Sequence, residues 1–547
     1  YRRMKFLDRH TLGLIGLWAA AVGVALSVRP ALPVDETRYL AVAWDMWLES
    51  HYLVPYLNGE PYSHKPPLLF WLMTAGWHVF GVNEWWPKLV APLFGLGCLL
   101  LTTGLSRALW PDDKETSTLA PVLLFGCVFW TVFTTATMFD MLLAFFALAA
   151  LTGVIKAWRG DFWRGMALAG LAMGFGVLAK GPAILLHVLP VALSVPFWGP
   201  YLAGSPAGVG RKRWYLGVGC AVVLAAAVGL AWAVPAAISG GEAYRDAIFW
   251  GQSAGRLVNS FAHARPFWWY AAVLPGLVLP WLIWPPLWRA FKRLPEVFGD
   301  GGVRVCIVWM ATAFVIFSLA SGKQLHYLLP EFQALALLAA RLINIRNADG
   351  MPGCRFDALP AWVMVAIGAL ILALPVLPLS SRGATIAGEA NTLWGGLVLL
   401  LGVGVAWKSA GAALNVRAMQ LSALSAGLVV VVYMALAPVL SERYDVGPLA
   451  RQIKIYHDAG KLVANFGKYH GQYHFVGRLT KPVPVMGLSA IDEAAFLGPN
   501  PDGYVIAYYK KIPKTAVPDF VFTFRHRFAV IWPAKTVIAH PALPRRD

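Results

Sequence analysis

The chain has 547 residues, 58% hydrophobic and only 14% charged, with 25 tryptophans. That apolar content exceeds the roughly 45–50% of soluble domains and excludes an ordinary soluble globule. The net charge of +18 does not point to nucleic acid. The positive residues fall mostly in short turns between apolar runs, where they orient a polytopic membrane protein.

A membrane span needs about 20 mostly apolar residues. In chain order the candidate runs are 11–29, 66–81, 86–106, 117–135, 138–157, 163–179, 182–198, 214–237, 267–288, 303–320, 325–342, 359–378, 391–408 and 417–438. The first follows Arg2, Arg3, Lys5 and Arg9 without a convincing small-residue cleavage site, so it reads as an uncleaved span. Dropping 66–81 places Arg107 and Lys114, Lys156, Arg159 and Arg164, Arg211–Arg213, Arg289, Lys292 and Arg293, Arg341 and Arg346, and Lys408 and Arg417 in cytoplasmic turns. The run 66–81 is short, opens on two prolines and ends in Gly81-Val82-Asn83, as an interfacial helix would. Residues 36–50 read the same way. Arg38, Asp45 and Glu49 share one helical face, opposite Leu40, Ala43, Trp47 and Leu48.

The expected architecture is therefore mostly α, with about 13 transmembrane helices. Residues 1–440 form the membrane domain, with interfacial helices in a first external loop over 30–85. An odd number of spans puts the C-terminus outside. Residues 441–547 are more polar and carry β-like runs at Tyr473–Val476, Gly503–Tyr509 and Phe520–Ile531, which read as a small external α/β domain. Its His457, His470, His474, His526 and His540 read as surface or packing histidines. Cys98, Cys127, Cys220, Cys306 and Cys354 form neither a disulfide framework nor a CxxC metal motif.

This threading isolates cations that oppose the orientation rule: Arg38, Lys65, Lys88, Lys180, Arg245, Arg256, Arg265 and Lys323. Singly, each is explained by snorkelling or by a structural carboxylate. Together, on one face with acids among them, they suit an anionic ligand. Arginine grips phosphate with a fork and lysine with a point charge. The acids are Asp35, Glu36, Glu84 and Asp140. Asp140 also fits a helix N-terminal acid, and Asp35-Glu36 an N-cap pair opening the 36–50 helix. His64, Glu84 and His263 lie in the same layer; two histidines and a carboxylate would suit zinc, although no cofactor is required by the chemistry below.

Asp35-Glu36-Thr37-Arg38-Tyr39, Tyr62-Ser63-His64-Lys65-Pro66-Pro67-Leu68-Leu69-Phe70-Trp71 and Phe80-Gly81-Val82-Asn83-Glu84 together resemble the first-loop signature of the protein O-mannosyltransferase superfamily, membrane glycosyltransferases of the GT-C fold. Ala179-Lys180-Gly181-Pro182, His263-Ala264-Arg265-Pro266-Phe267-Trp268-Trp269-Tyr270 and Lys323-Gln324-Leu325-His326-Tyr327-Leu328-Leu329-Pro330 fit as well. The match runs from about residue 10 to 345. Among bacterial members the likeness is to the lipid A aminoarabinose transferases. His64 departs from the pattern, standing where a glutamate precedes the lysine.

The resemblance implies a donor, undecaprenyl phosphate carrying 4-amino-4-deoxy-L-arabinose, and an acceptor, a lipid A phosphate. It places transfer at the periplasmic face of the inner membrane, with resistance to polymyxin-like cationic peptides as the outcome. No nucleotide, nucleic acid or metal partner is expected, and a monomer is. On the residues, Asp35, Glu36 and Asp140 are the candidate catalytic carboxylates. Arg38, Tyr62, Lys65, Lys180, Arg256, Arg265, Lys323 and Tyr327 are the candidate substrate-binding set, the two tyrosines being equally suited to aromatic packing. A phosphate acceptor is largely ionised near neutral pH, its second pKa being about 6, so Asp35 need not act as a strong base. Another sugar on the same carrier lipid, moved to lipid or protein, is the alternative within the class. A lipid transporter is the alternative outside it, but no halves of the chain repeat.

Overall fold

The computed structural model describes residues 9–202, 209–254, 264–348, 354–409, 412–487 and 490–545. Among these, eight helices are long and apolar enough to cross a membrane, or up to 11 when each sharply bent pair counts as one span. The protein is thus a multi-pass membrane protein, and the expected number of 13 spans is not confirmed by this count of the described residues. Prolines and breaks interrupt several of the apolar runs. The run 267–288, for instance, becomes a helix at Trp269–Leu277, a 3-10 turn at Trp281–Ile283 and a short helix at Pro285–Phe291. Pro at helix interiors removes a hydrogen bond and crowds the preceding turn.

The chain divides into two compact units. The first comprises Tyr1–Ser27, Ser63–Leu69 and Lys88–Ala435; the second comprises Val28–Tyr62, Phe70–Pro87 and Leu436–Asp547.

In the first unit, α1 (Arg9–Val28) is followed by α2 (Trp85–Leu109) and α3 (Lys114–Gly126). A 77° bend separates α3 from α4 (Val128–Thr134). The hinge is Cys127, extended at φ −74 and ψ 113, and the Val128 amide donates to Leu279 O at 3.1 Å. The bend is followed by α5 (Phe139–Trp158), which packs extensively on α6 (Phe162–Lys180). Small residues permit this approach: a Cβ at Gly153 would lie 2.6 Å from Gly165 O, and one at Gly165 would lie 2.4 Å from Ala157 N. Helix α6 stops at Gly181, whose φ of +80 is a conformation that side-chain-bearing residues rarely adopt. Pro182 follows, and α7 (Ile184–Leu193) begins. Further on lie α8 (Gly301–Leu319), α9 (Glu331–Ala348) and α10 (Leu359–Ala373).

The second unit joins α11 (Asp35–Glu49), α12 (Leu68–Phe80, of which Leu68 and Leu69 cluster with the first unit), a two-residue hairpin of β1 (Tyr56–Leu57) and β2 (Glu60–Pro61), and the C-terminal residues. The C-terminal sheet has five strands: β3 (Val463–Phe466), β4 (Val485–Met486), β5 (Tyr504–Tyr509), β6 (Phe520–Phe524) and β7 (Arg527–Pro533), in the order β4-β3-β5-β7-β6. β3 pairs in parallel with β4 and β5, whereas β7 runs antiparallel to β5 and β6. The strand period of two sends Val505, Ala507 and Tyr509 into one core, with Val530 and Trp532. Ile506 enters the other, with Ile531, Leu449 and Ile453. The run Phe520–Ile531 is therefore a hairpin, turned at Arg525 with φ +58. Tyr473–Val476, read as strand-like, instead caps and enters a helical turn at His474–Gly477.

Helix α11 confirms the helix expected over 36–50, but it is buried on more than one side. Trp44 Nε1 donates to Leu479 O at 2.8 Å, and Trp77 stacks on Phe475 with ring centroids 5.0 Å apart. Gly471, at φ +71, comes so close that a Cβ would lie 2.5 Å from Leu57 and 3.0 Å from Ala41. Leu48, placed by its spacing on the apolar face, stays exposed.

Candidate active site

Within the first unit, the first turn of α5 carries Asp140, which is only 2% exposed. Lys180, the last residue of α6, makes an ion pair with Asp140 Oδ1. His326 Nε2 lies 3.8 Å from the same oxygen. Lys65 lies within electrostatic reach of Asp140, and its Nζ is 5.6 Å from the centre of the Phe139 ring. Lys180 Nζ sits 4.7 Å from the centre of the Tyr327 ring, a cation–π distance. One carboxylate is thus surrounded by two lysines and a histidine. The cluster carries surplus positive charge, the electrostatic requirement for holding a phosphate at membrane depth.

The segment that brings His326 and Tyr327 to Asp140 is braced by backbone contacts. Ala264 and Gly322 form an isolated antiparallel bridge, and the Arg265 amide donates to Ser321 O at 3.2 Å. The Tyr270 hydroxyl donates to Gln324 O at 2.9 Å. Lys323 is buried, and its ammonium donates to Arg265 O at 3.0 Å and to Ala320 O. Burial pulls the Lys323 pKa below the ordinary lysine value. Its charge is therefore engaged on main-chain carbonyls that hold the turn. Arg265 is exposed. Arg256 and His263 lie outside the described residues.

Within the second unit, Asp35 and Arg38 pair one turn apart at the start of α11, with Asp35 largely exposed. Tyr62 is buried and packs edge-on to Phe70 at 6.2 Å. Burial, and then the charge of Arg38, lower the His470 pKa, which places this histidine in the field of Asp35 and Arg38. Glu36 has a different setting. Its carboxylate accepts from Arg29 Nη1 at 2.6 Å and from the Leu32 amide at 2.8 Å, both ionic side chains being at most 5% exposed. That arrangement anchors the entry into α11. Glu84 and His64 are exposed. Among the described residues no group of three His, Cys, Asp or Glu side chains has the geometry to hold a metal ion.

His326 is the member of the cluster that sequence reasoning did not single out. Its signal was its place in the Lys323-Gln324-Leu325-His326 run, but nothing in the sequence states that this run returns to Asp140.

Membrane-length helices make up much of the first unit and a five-stranded sheet lies in the second, and this fold is shared with solved structures. Two crystal structures of ArnT from Cupriavidus metallidurans superpose on it across 95% of this chain and 97% of theirs. The apo state gives a TM-score of 0.74 at 19% identity, and the form bound to undecaprenyl phosphate gives 0.72 at 18% identity. Residues 64–232 match the family model described as dolichyl-phosphate-mannose-protein mannosyltransferase. In sequence the chain is similar to undecaprenyl phosphate-alpha-4-amino-4-deoxy-L-arabinose arabinosyl transferase 1 of Sodalis glossinidius, with 32% identity over 65% of this chain and 65% of that protein. The similarly named transferase of Pseudomonas aeruginosa is 30% identical over 69% of this chain and 66% of its own length. The matched region thus spans just under two thirds of these relatives.

Proposed function

We propose that the protein transfers 4-amino-4-deoxy-L-arabinose from undecaprenyl phosphate to a lipid A phosphate, at the periplasmic face of the inner membrane. The observation that carries this reading is the surplus-positive cluster around Asp140, at the ends of membrane-length helices, in a chain resembling transferases named for that donor. Lys65 and Lys180 offset the charge of the departing lipid phosphate. Arg265 and Arg256 are assigned to the same task. Asp35, held by Arg38, stabilises the oxocarbenium-like sugar or binds its amine. Asp140 keeps the lysines in place while no phosphate is bound. Direct attack by the acceptor phosphate makes the reaction inverting at the sugar carbon. The charge-masked lipid A then repels polymyxin and other cationic peptides.

The test is mass spectrometry of lipid A from cells with and without the protein. A protein-dependent mass gain matching one aminoarabinose supports the reading, and unchanged lipid A overturns it. The mannosyltransferase family match over 64–232 favours a second reading, transfer of a hexose from the same kind of carrier. A hexose-sized gain on lipid or protein would identify it.

A further inference from the structure

Behind the basic cluster lies a polar pair that the proposed reaction does not use. His187, on α7, is 1% exposed, and Glu331, the first residue of α9, is 7% exposed. His187 Nδ1 donates to Glu331 Oε1 at 2.5 Å. Among the described residues, no other group meets His187 Nε2 or Glu331 Oε2. Burying two such groups on one hydrogen bond is an expensive way to join two helices, since an apolar pair of the same volume would do it without stranded polar atoms.

The location of the pair accounts for that expense. His187 lies seven residues after Lys180, beyond Gly181 and Pro182, and Glu331 lies five residues after His326. The two sequence flanks that deliver Lys180 and His326-Tyr327 to Asp140 are thus tied together by one buried bond. Packing repeats the link. The His187 ring lies 5.1 Å from Phe317, and Phe317 lies 6.0 Å from Tyr327, which itself receives Lys180. As the opening residue of α9, Glu331 has its negative charge favoured by the helix dipole, which strengthens it as acceptor.

We propose that His187 and Glu331 form a clamp that positions Lys180 against Tyr327 for binding a polyprenyl phosphate. They are positioning residues, and the inference rests on the transferase reading above. A clamp of this kind acts through direction. Asparagine places an amide nitrogen where Nδ1 of histidine stands and can still donate to Glu331; glutamine places its nitrogen nearer the position of Nε2 and cannot.

The experiment uses the full-length protein in detergent or nanodiscs. It measures affinity for undecaprenyl phosphate, aminoarabinose transfer to lipid A, and thermal unfolding. H187A, H187Q and E331A should each weaken undecaprenyl phosphate binding roughly tenfold and slow transfer at least as much. H187N should recover most of both, although H187N and H187Q lose the same ring packing. In a K180A background, H187Q should cost no further affinity, because the clamp acts through that lysine. Equal binding by H187N and H187Q, or additive losses with K180A, would overturn the clamp. If the wild-type protein binds undecaprenyl phosphate and answers to the clamp variants but moves no aminoarabinose, the transferase reading fails and the clamp stands.

Discussion

Two buried aspartates in the first unit show how differently the same charge can be used. Asp357 has both oxygens occupied: Arg289 pairs with Oδ1, and Arg417 Nη1 approaches Oδ2 at 2.8 Å. The Cys354 amide also donates to Oδ2, at 3.0 Å. At Asp140, Lys180 and His326 both converge on Oδ1, and Lys65 adds charge from beside Phe139. Guanidinium groups on both carboxylate oxygens close a site, since their rigid donors are consumed by the partner they hold. Lysine is a point charge on a flexible stem and can share itself between a carboxylate and an arriving phosphate. The first arrangement joins helices, and the second is suited to a ligand.

The largest effect should come from breaking the closed pair. R417A leaves Asp357 buried with one arginine fewer and should cost roughly 3 kcal/mol of stability. Thermal unfolding in detergent should show the loss, while transfer per folded molecule stays near wild type; a specific loss of transfer would place Asp357 with the functional charges. D35N should reduce aminoarabinose transfer by at least about a hundredfold with unfolding unchanged, and normal lipid A modification by this variant would remove Asp35 from the chemistry.

A third kind of buried polar group sharpens the contrast. His474 in the second unit shares a 2.8 Å hydrogen bond with the Tyr469 hydroxyl, and burial, followed by the nearby His457, pushes its pKa down to about 4. It is therefore buried neutral. The unfolded state takes up the proton near pH 6.5 and the folded state only near 4. Stability from this site is present above pH 6.5 and is lost as pH falls from 6.5 towards 4, by about 2 kcal/mol between pH 7 and pH 5. Denaturant unfolding against pH should show that slope, and H474N should flatten it. The smallest effect is that of K65A, which should raise the KM for the lipid-phosphate donor about tenfold, the worth of one charge-assisted contact. Unchanged donor kinetics would show that Lys65 does not share its charge as Lys180 does.

Much of this was legible in the chain. Apolar runs of bilayer length announced the membrane helices, and the helix over 36–50 followed from its spacing. The pairing of Asp35 with Arg38 is a one-turn relation that any helix makes. Glu36 was harder, because its partner Arg29 precedes the helix and its carboxylate also caps Leu32. Lys323 was legible as a cation opposing the orientation rule, but its hydrogen bonds to the carbonyls of Ala320 and Arg265 were not. Composition does not reveal where an apolar run bends, as at Cys127, so the exact number of spans was not legible in the sequence.

By itself the sequence determined the class of molecule, the polar loop that interrupts the first spans, and the excess of basic residues opposing the orientation rule. These are consequences of local composition and of periods of 3.6 and 2. Only the tertiary structure decided that residues 28–62 and 70–87 form a compact unit with residues 436–547. It alone decided which carboxylate is closed by arginines, which receives lysines, and that His187 meets Glu331 across 144 positions. Those outcomes depend on contacts between segments far apart in the chain, where hydrogen-bond geometry and desolvation select the partner and no local pattern records the choice.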